Sequence, residues 1–322
     1  MSAFDETLNL INGDVGLKLF FLMKSENSEN IIKFANLEDG DSDNNTTSEL
    51  LEKYIELLNN RLVEVSETDI IKLSSADDRV DAVYEYDLEE VPELFAKMRE
   101  TPISSEDEHQ VFNHREDEFS SIKGLIIVIG NVEENIILFK QNYPISLLKR
   151  DNFAIFPVPH HNRLERFKKD ILKVDINFHF MFVNEKFYIF DLIKLEKLTG
   201  FDGIIKKEAL KGLEAIERFN LIQDIEPLKD EIEDITFARK LTKIYKDPKV
   251  IGKVSRKKII DFVNKHKFFE EHPIKINKES EQLVIDTKVS KNALLKLLND
   301  DLLYSELTTF EYESVAKNDV IK

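Results

Sequence analysis

The stretch NFHFMFVNEKFYIFDL (177–192) constrains the fold more than any other. Phe178, Phe180 and Phe182 alternate, which places their rings on one face of an extended strand. Asn184-Glu185 supplies a turn, and Phe187, Ile189 and Leu192 return along a second strand. KGLIIVIG (123–130) and ENIILFKQ (134–141), separated by NVE, read as another hairpin. VGLKLFFLM (15–23) and NFAIFPVP (152–159) read as further strands, and TDIIKLSS and AVYEYDL as short ones. The economical reading is a largely antiparallel sheet. The expected fold class is therefore α+β, with a mostly antiparallel mixed sheet in the N-terminal and middle regions and a mainly helical C-terminal third.

Helical periodicity appears around these strands. SELLEKYIELLNNRLVEV (48–65) puts Leu50, Leu51, Ile55, Leu58 and Leu62 on one face, with Ser48 as a cap. EEVPELFAKMRE (89–100) reads as a helix starting near Pro92. LEDGDSDNNTT (37–47) is a polar loop, and TPISSEDEHQVFNHREDEFSS (101–121) reads as a charged linker or mobile flap. Beyond residue 191, helices are expected over 192–199, 202–219, 234–246, 255–266 and 288–299, with a short hairpin at 274–286. A soft boundary near Leu221 to Lys229 divides the chain into an α+β part (1–222) and a basic, mainly helical part (223–322).

Charge is unevenly spread along the chain. The formal net charge of the 322 residues is -17. Residues 1–118 hold 30 acidic and 10 basic side chains, whereas 119–322 hold 32 acidic and 35 basic. Two segments are strongly basic: 140–173, with eight basic and three acidic residues, and 237–278, with thirteen and four. The field near a surface follows such local distributions rather than net charge. In ITFARKLTKIYKD (235–247), an apolar face of Ile235, Ala238, Leu241 and Tyr245, flanked by Phe237 and Ile244, leaves Arg239, Lys240, Lys243 and Lys246 on the outer side. In KVIGKVSRKKIIDFVNKHK (249–267), Ser255 caps a helix with Ile259, Ile260 and Val263 buried. Basic residues in a first turn oppose the helix macrodipole, which points to an anionic partner such as phosphate. The order helix, helix, hairpin across 235–286 is that of a winged helix-turn-helix. The candidate nucleic-acid contacts are Lys149, Arg150, Arg163, Arg166, Lys168 and Lys169 from the first segment, and Arg239, Lys243, Lys253, Arg256, Lys257 and Lys258 from the second. Charge runs on helices are also commonly solvated faces, and an acidic protein surface is an alternative partner.

Enzyme signatures are missing. The chain lacks a P-loop, a GxGxxG, an HExxH and a GxSxG motif. It has no Cys, which excludes disulfides, thiol nucleophiles and Cys-ligated zinc. A metal-dependent nuclease would place an acidic residue two before a lysine. That spacing occurs at Asp247-Pro248-Lys249 and at Asp286-Thr287-Lys288, where Asp286 or Thr287 reads better as a helix cap. His160-His161 and the pair His109 and His114 read as loop residues rather than ligands. No catalytic residue, metal or cofactor is expected, with a divergent nuclease kept as an alternative. The N-terminus carries no signal-peptide pattern, and the longest apolar runs, LFFLM and GLIIVIG, are strand-sized. A cytoplasmic chain is expected.

Several longer phrases occur together: VYEYDLEEVPELF (83–95), ILFKQNYPISLLKRDNF (137–153), FHFMFVNEKFYIFDLIKLEKLTGFDGIIKKEA (178–209), ITFARKLTKI (235–244) and LLNDDLLYSELTTFEYESVAKN (297–318). Through them the chain resembles the Kiwa protein B family, the soluble component of the two-gene Kiwa anti-phage defence system. The resemblance implies a multi-span membrane partner, Kiwa protein A, which would hold the chain at the inner face of the membrane. It also implies binding to phage DNA, with interference with its replication or transcription, and self-association as a homodimer; contacts made mainly to phosphates predict weak sequence preference. It transfers no residue-level DNA motif. An adaptor without DNA contact is the competing reading.

Overall fold

In the computed structural model, the Phe-rich stretch forms the hairpin that its alternation demands. Phe180–Val183 pairs antiparallel with Lys186–Ile189, and Asn184 and Glu185 turn with φ of 49° and 58°. The structure describes residues 2–25, 29–37, 46–75, 82–104, 108–143, 171–197 and 200–314, together with the backbone alone of 147–148, 155–158, 163–166 and 198. In chain order the first elements are α1 (Asp5–Ile11), β1 (Gly16–Lys24), β2 (Asn30–Phe34), α2 (Thr46–Leu62), β3 (Ile70–Lys72), β4 (Val83–Glu85) and α3 (Glu93–Arg99). The middle is β5 (Ile122–Gly130), β6 (Asn135–Gln141), β7 (Leu147–Leu148), β8 (Ile155–Val158), β9 (Arg163–Arg166), β10 (Ile171–Leu172), β11 (Phe180–Val183) and β12 (Lys186–Ile189). Helices then dominate: α4 (Leu192–Leu198), α5 (Phe201–Phe219), α6 (Glu226–Lys229), α7 (Ile235–Lys246), α8 (Arg256–Lys265), α9 (Phe268–Glu271) and α10 (Lys288–Leu298). Two small hairpins complete the chain, β13 (Lys275–Asn277) with β14 (Gln282–Val284) and β15 (Leu302–Tyr304) with β16 (Glu311–Glu313). The fold is α+β, with the sheet in the N-terminal and middle parts and a mostly helical C-terminal region.

Two compact units emerge from the contacts: Met1–Asp69 with Glu93–Asp191, and Ile70–Pro92 with Leu192–Lys322. The expected soft boundary near Leu221 to Lys229 falls within the second unit.

The first unit is built on an antiparallel sheet in the order β2-β1-β5-β6-β11-β12. From Gly124 to Gly130, every residue of β5 is buried, so both faces of the sheet centre are covered. Asn131 accepts from the Glu133 and Glu134 amides and shapes the β5–β6 turn. The Phe content is spent here. Phe95 of α3 stacks on Phe187 at 4.3 Å and meets Phe180 edge-on at 5.3 Å, within the favourable range for aromatic pairs. Helix α2 starts at Thr46, two residues before Ser48, so Ser48 is inside the helix rather than its cap. Its buried stripe is Tyr54, Leu58 and Leu62, one turn apart each time.

Residues 108–121 are not a flap. The Phe34 amide donates to the Gln110 carbonyl and the Phe112 amide to that of Phe34, extending the edge of β2. Phe112 packs edge-on against Phe21 and Phe119, and Lys33 meets Asp117 at 2.6 Å with both side chains largely buried. An exposed strand edge is a liability, and this acidic segment covers it.

The second unit holds the parallel pair β3–β4 and the helices from α4 onward. Its centre is the seat of α7 on α5. A Cβ at Gly212 would lie 2.2 Å from the Leu241 carbonyl oxygen, so only glycine permits this approach. Asp234 caps α7 by accepting from the Phe237 amide, and Ser255 caps α8 as its position predicts. The order helix, helix, hairpin is present across 235–286, but α7 is seated on α5 and α9 intervenes before β13. That departs from a winged helix-turn-helix, whose two helices pack on each other.

Candidate nucleic-acid interface

The basic stretch around α8 projects its cations outward. Lys253, Lys257 and Lys258 are exposed, while Ile259 and Val263 anchor the opposite face; Ile260 is only half-buried. No acidic residue stands in the first turn, so the positive end of the helix dipole and the lysines act together. Arg256 serves a second purpose. Its guanidinium donates to the Glu281 carbonyl at 2.9 Å and to that of Ser280 at 3.4 Å, tying α8 to the β13–β14 turn. Beneath α8 lies a mostly apolar cavity of about 210 Å³, bordered by Val250, Val254, Ile259, Phe262, Leu297 and Leu302, with Lys258 and Asp300 at its edge.

The α7 cations are placed otherwise than their spacing suggests. Arg239 and Lys243 are each only 6 % exposed, and the Lys246 side chain 17 %. Helix α7 buries Phe237, Ala238, Leu241, Thr242 and Ile244 together with Arg239 and Lys243 and exposes Tyr245, so it is covered on more than the one face its pattern predicts. Leu241, which meets Gly212 of α5, lies on the opposite side of α7 from Arg239 and Lys243, so these two cations are covered by other elements. Arg239 faces Glu196 at 3.8 Å. Outward placement of Arg239 and Lys243 is thereby corrected.

Lys246 belongs to an ionic group that periodicity alone did not reveal. The Glu208 side chain of α5 is only 3 % exposed and meets Lys211 at 2.8 Å and Lys246 at 3.6 Å. The same two lysines hold Glu89 at 2.7 and 3.2 Å, and Lys207 holds Glu90 at 2.6 Å. Hydrogen bonds from Lys211 and then Lys246 keep the Glu89 carboxyl below the usual carboxylate range. Bonding to Glu208, then to Glu89, pushes the Lys211 ammonium pKa upward. The one legible signal was KKEALKG, in which Glu208 and Lys211 are one turn apart.

Of the first basic segment, Lys149, Arg150, Lys168 and Lys169 lie outside the described residues. Arg163 and Arg166 are described in backbone only, at the two ends of β9, opposite Val158 and Ile155 of β8. Lys173 pairs with Asp175 at 2.9 Å. Asp175 also draws Lys140, whose ammonium pKa burial pushes down against the pull of that carboxylate.

The acid-x-Lys positions are engaged locally. Asp247 pairs with Lys249 at 3.2 Å, and Asp286 with Lys275 at 2.6 Å. Thr287 is the cap of α10, in a reciprocal box with Ser290 at 3.1 and 3.0 Å. His109 contacts the Glu100 carbonyl at 2.9 Å and sits edge-on to Phe20, while His160 and His161 lie outside the described residues. Among the described residues, no group of three or more His, Asp or Glu side chains could hold a metal ion. Thr287→Ala should cost about 1 kcal/mol, the usual value of a lost cap. Asp286→Asn should lower the thermal midpoint far less, because its partner is exposed. Calorimetry of the two variants measures both, and an equal loss would give Asp286 a role that its geometry does not contain.

Against this geometry stand the comparisons with known proteins. The family model described as Kiwa protein KwaB-like matches residues 119–308. The chain is 32 % identical over 274 residues to Kiwa protein KwaB of Escherichia coli O55:H7 (strain RM12579 / EPEC), covering 84 % of this chain and 85 % of that one. No solved structure matches.

Proposed function

The chain belongs to the Kiwa protein KwaB-like family, and on that premise we propose that it binds invading DNA as the effector of a Kiwa system. Family membership makes it a component of an anti-phage defence system. The observation that supports DNA binding is the exposed set Lys253, Lys257 and Lys258 at the capped start of α8. Phosphates suit such a set, because they accept from ammonium groups and are favoured at a helix N-terminus. These contacts carry little sequence information, so binding would discriminate poorly between sequences. The effect on the phage would come from occupancy without cleavage, by obstructing replication or transcription. The partner would be the multi-span membrane protein of the system, and the chain would act as a homodimer at the inner face of the membrane. Among the described residues, no helix is long and apolar enough to cross a membrane itself.

The test is binding of the purified full chain to random-sequence duplex DNA across a range of salt, with Mg²⁺ present. Three phosphate contacts predict a slope of log K against log salt of about -3 per chain. The DNA should be recovered intact. Failure to bind at low salt would overturn the reading, and DNA cleavage would replace occupancy with nuclease chemistry.

A further inference from the structure

We propose that Lys207, Lys211 and Lys246, with the ring of Tyr245, form a phosphodiester-binding position that the chain fills with its own Glu89 and Glu90 carboxylates. The inference rests on the DNA-binding reading and adds to it a second, self-occupied contact.

Glu208 is buried and needs one counter-ion; Lys211 at 2.8 Å supplies it. Lys246 is a second ammonium on the same carboxylate, at 3.6 Å, and the Glu208 Oε2 atom that it faces accepts no hydrogen bond. Two lysines on one buried carboxylate leave one positive charge in excess. Glu89 neutralises it from outside, accepting from Lys211 at 2.7 Å and Lys246 at 3.2 Å. A carboxylate between two ammonium groups has the charge and the acceptor geometry of a phosphodiester. The Tyr245 ring lies under both lysines, 5.9 and 5.8 Å from their nitrogens, and is itself exposed. An exposed ring beside a phosphate position is what stacking on a base or sugar requires. Lys207, holding Glu90 at 2.6 Å, adds a neighbouring cation.

The two kinds of carboxylate differ in how readily they can leave. Glu208 is enclosed, whereas the Glu89 side chain is 61 % exposed. The backbone that presents Glu89 and Glu90 is held by other contacts. The Tyr86 hydroxyl donates to the Glu90 carbonyl, and Asp87 accepts from the Ser74 amide at 2.9 Å. Only the side chains need move for a phosphate to enter. The acidic residues would thus hold down affinity for stray nucleic acid and yield to a high local density of phosphates.

The test is the double variant Glu89→Gln and Glu90→Gln, compared with wild type on random-sequence duplex DNA at several salt concentrations. Freeing two net positive charges should steepen the salt slope by about 2 and raise affinity at low salt by about tenfold or more. Adding Lys207→Gln, an exposed position, should take back part of that gain. Tighter binding by the double variant than by the wild type supports the inference. Equal binding by wild type and double variant with unchanged slope overturns it and leaves the DNA-binding reading standing. No binding by either overturns both.

Discussion

Replacing Lys253, Lys257 and Lys258 together by Glu should lower affinity for random-sequence duplex DNA by about 10²- to 10³-fold at ~0.1 M salt. Each phosphate contact contributes a slope of about -0.9 in log K against log salt, or roughly eightfold in affinity between 1 M and 0.1 M. Three contacts compound to several hundredfold, and reversal adds repulsion. The variant is unusually clean because the fold should tolerate it. All three side chains are exposed, and the buried anchors Ile259 and Val263 are untouched. Lys257 and Lys258 occupy the first turn of α8, where acidic residues suit the macrodipole better than basic ones. Thermal stability should therefore hold or rise slightly while binding falls. Arg256 is left in place because its bonds to the 280–281 carbonyls hold the β13–β14 turn. Retained DNA binding would move the interface elsewhere. Retained DNA binding with lost association to the membrane protein would instead make α8 a protein-docking helix.

The contrast between α8 and α7 shows what the sequence could and could not reveal. Both segments read as amphipathic basic helices, and both helices exist within a residue or two of their expected bounds. On α8 the polar face is wide, so a small rotation changes nothing, and its exposed lysines were legible. On α7 the expected apolar residues Ala238 and Leu241 are buried, but the helix is covered on its other side as well, which buries Arg239 and Lys243. That second covering comes from elements distant in sequence, such as Glu196 of α4 beside Arg239, which no local pattern encodes. The ionic group of Glu89, Glu208, Lys211 and Lys246 was illegible for a related reason. It joins positions up to 157 residues apart, and only Glu208 with Lys211 is local. Strands fared well where alternation or continuous burial was strong, as in β5, β6, β11 and β12. The β15–β16 hairpin went unread because it buries so little: Leu307, Phe310 and Tyr312 are exposed, so no alternation marks it. The segment 101–121 read as a flap because its charges are numerous. Phe112 and the buried Lys33–Asp117 pair fix its described part against β2.

Two glycines of α5 should respond to alanine in opposite directions. Gly203 is exposed, and nothing lies within 4 Å of where its Cβ would be. Gly203→Ala should stabilise the protein by about 0.5–1 kcal/mol, the intrinsic difference in helix propensity. At Gly212 the same methyl would stand 2.2 Å from the Leu241 carbonyl oxygen and 2.8 Å from its carbonyl carbon. Backbone atoms of a helix interior cannot turn aside as a side chain can, so α5 and α7 must separate by about an ångström. Overpacking of this kind costs about 3 kcal/mol or more. For a unit of this size the thermal midpoint should fall by about 10 °C. The damage reaches beyond stability. Lys211 precedes Gly212 on α5, and Lys246 ends α7, so separating the helices pulls apart the two ammonium groups that share Glu89 and Glu208. Gly212→Ala should therefore flatten the gain in DNA affinity expected from the Glu89→Gln and Glu90→Gln pair, even at temperatures where the protein stays folded. Equal and small effects of alanine at both glycines would mean that α7 can slide along α5.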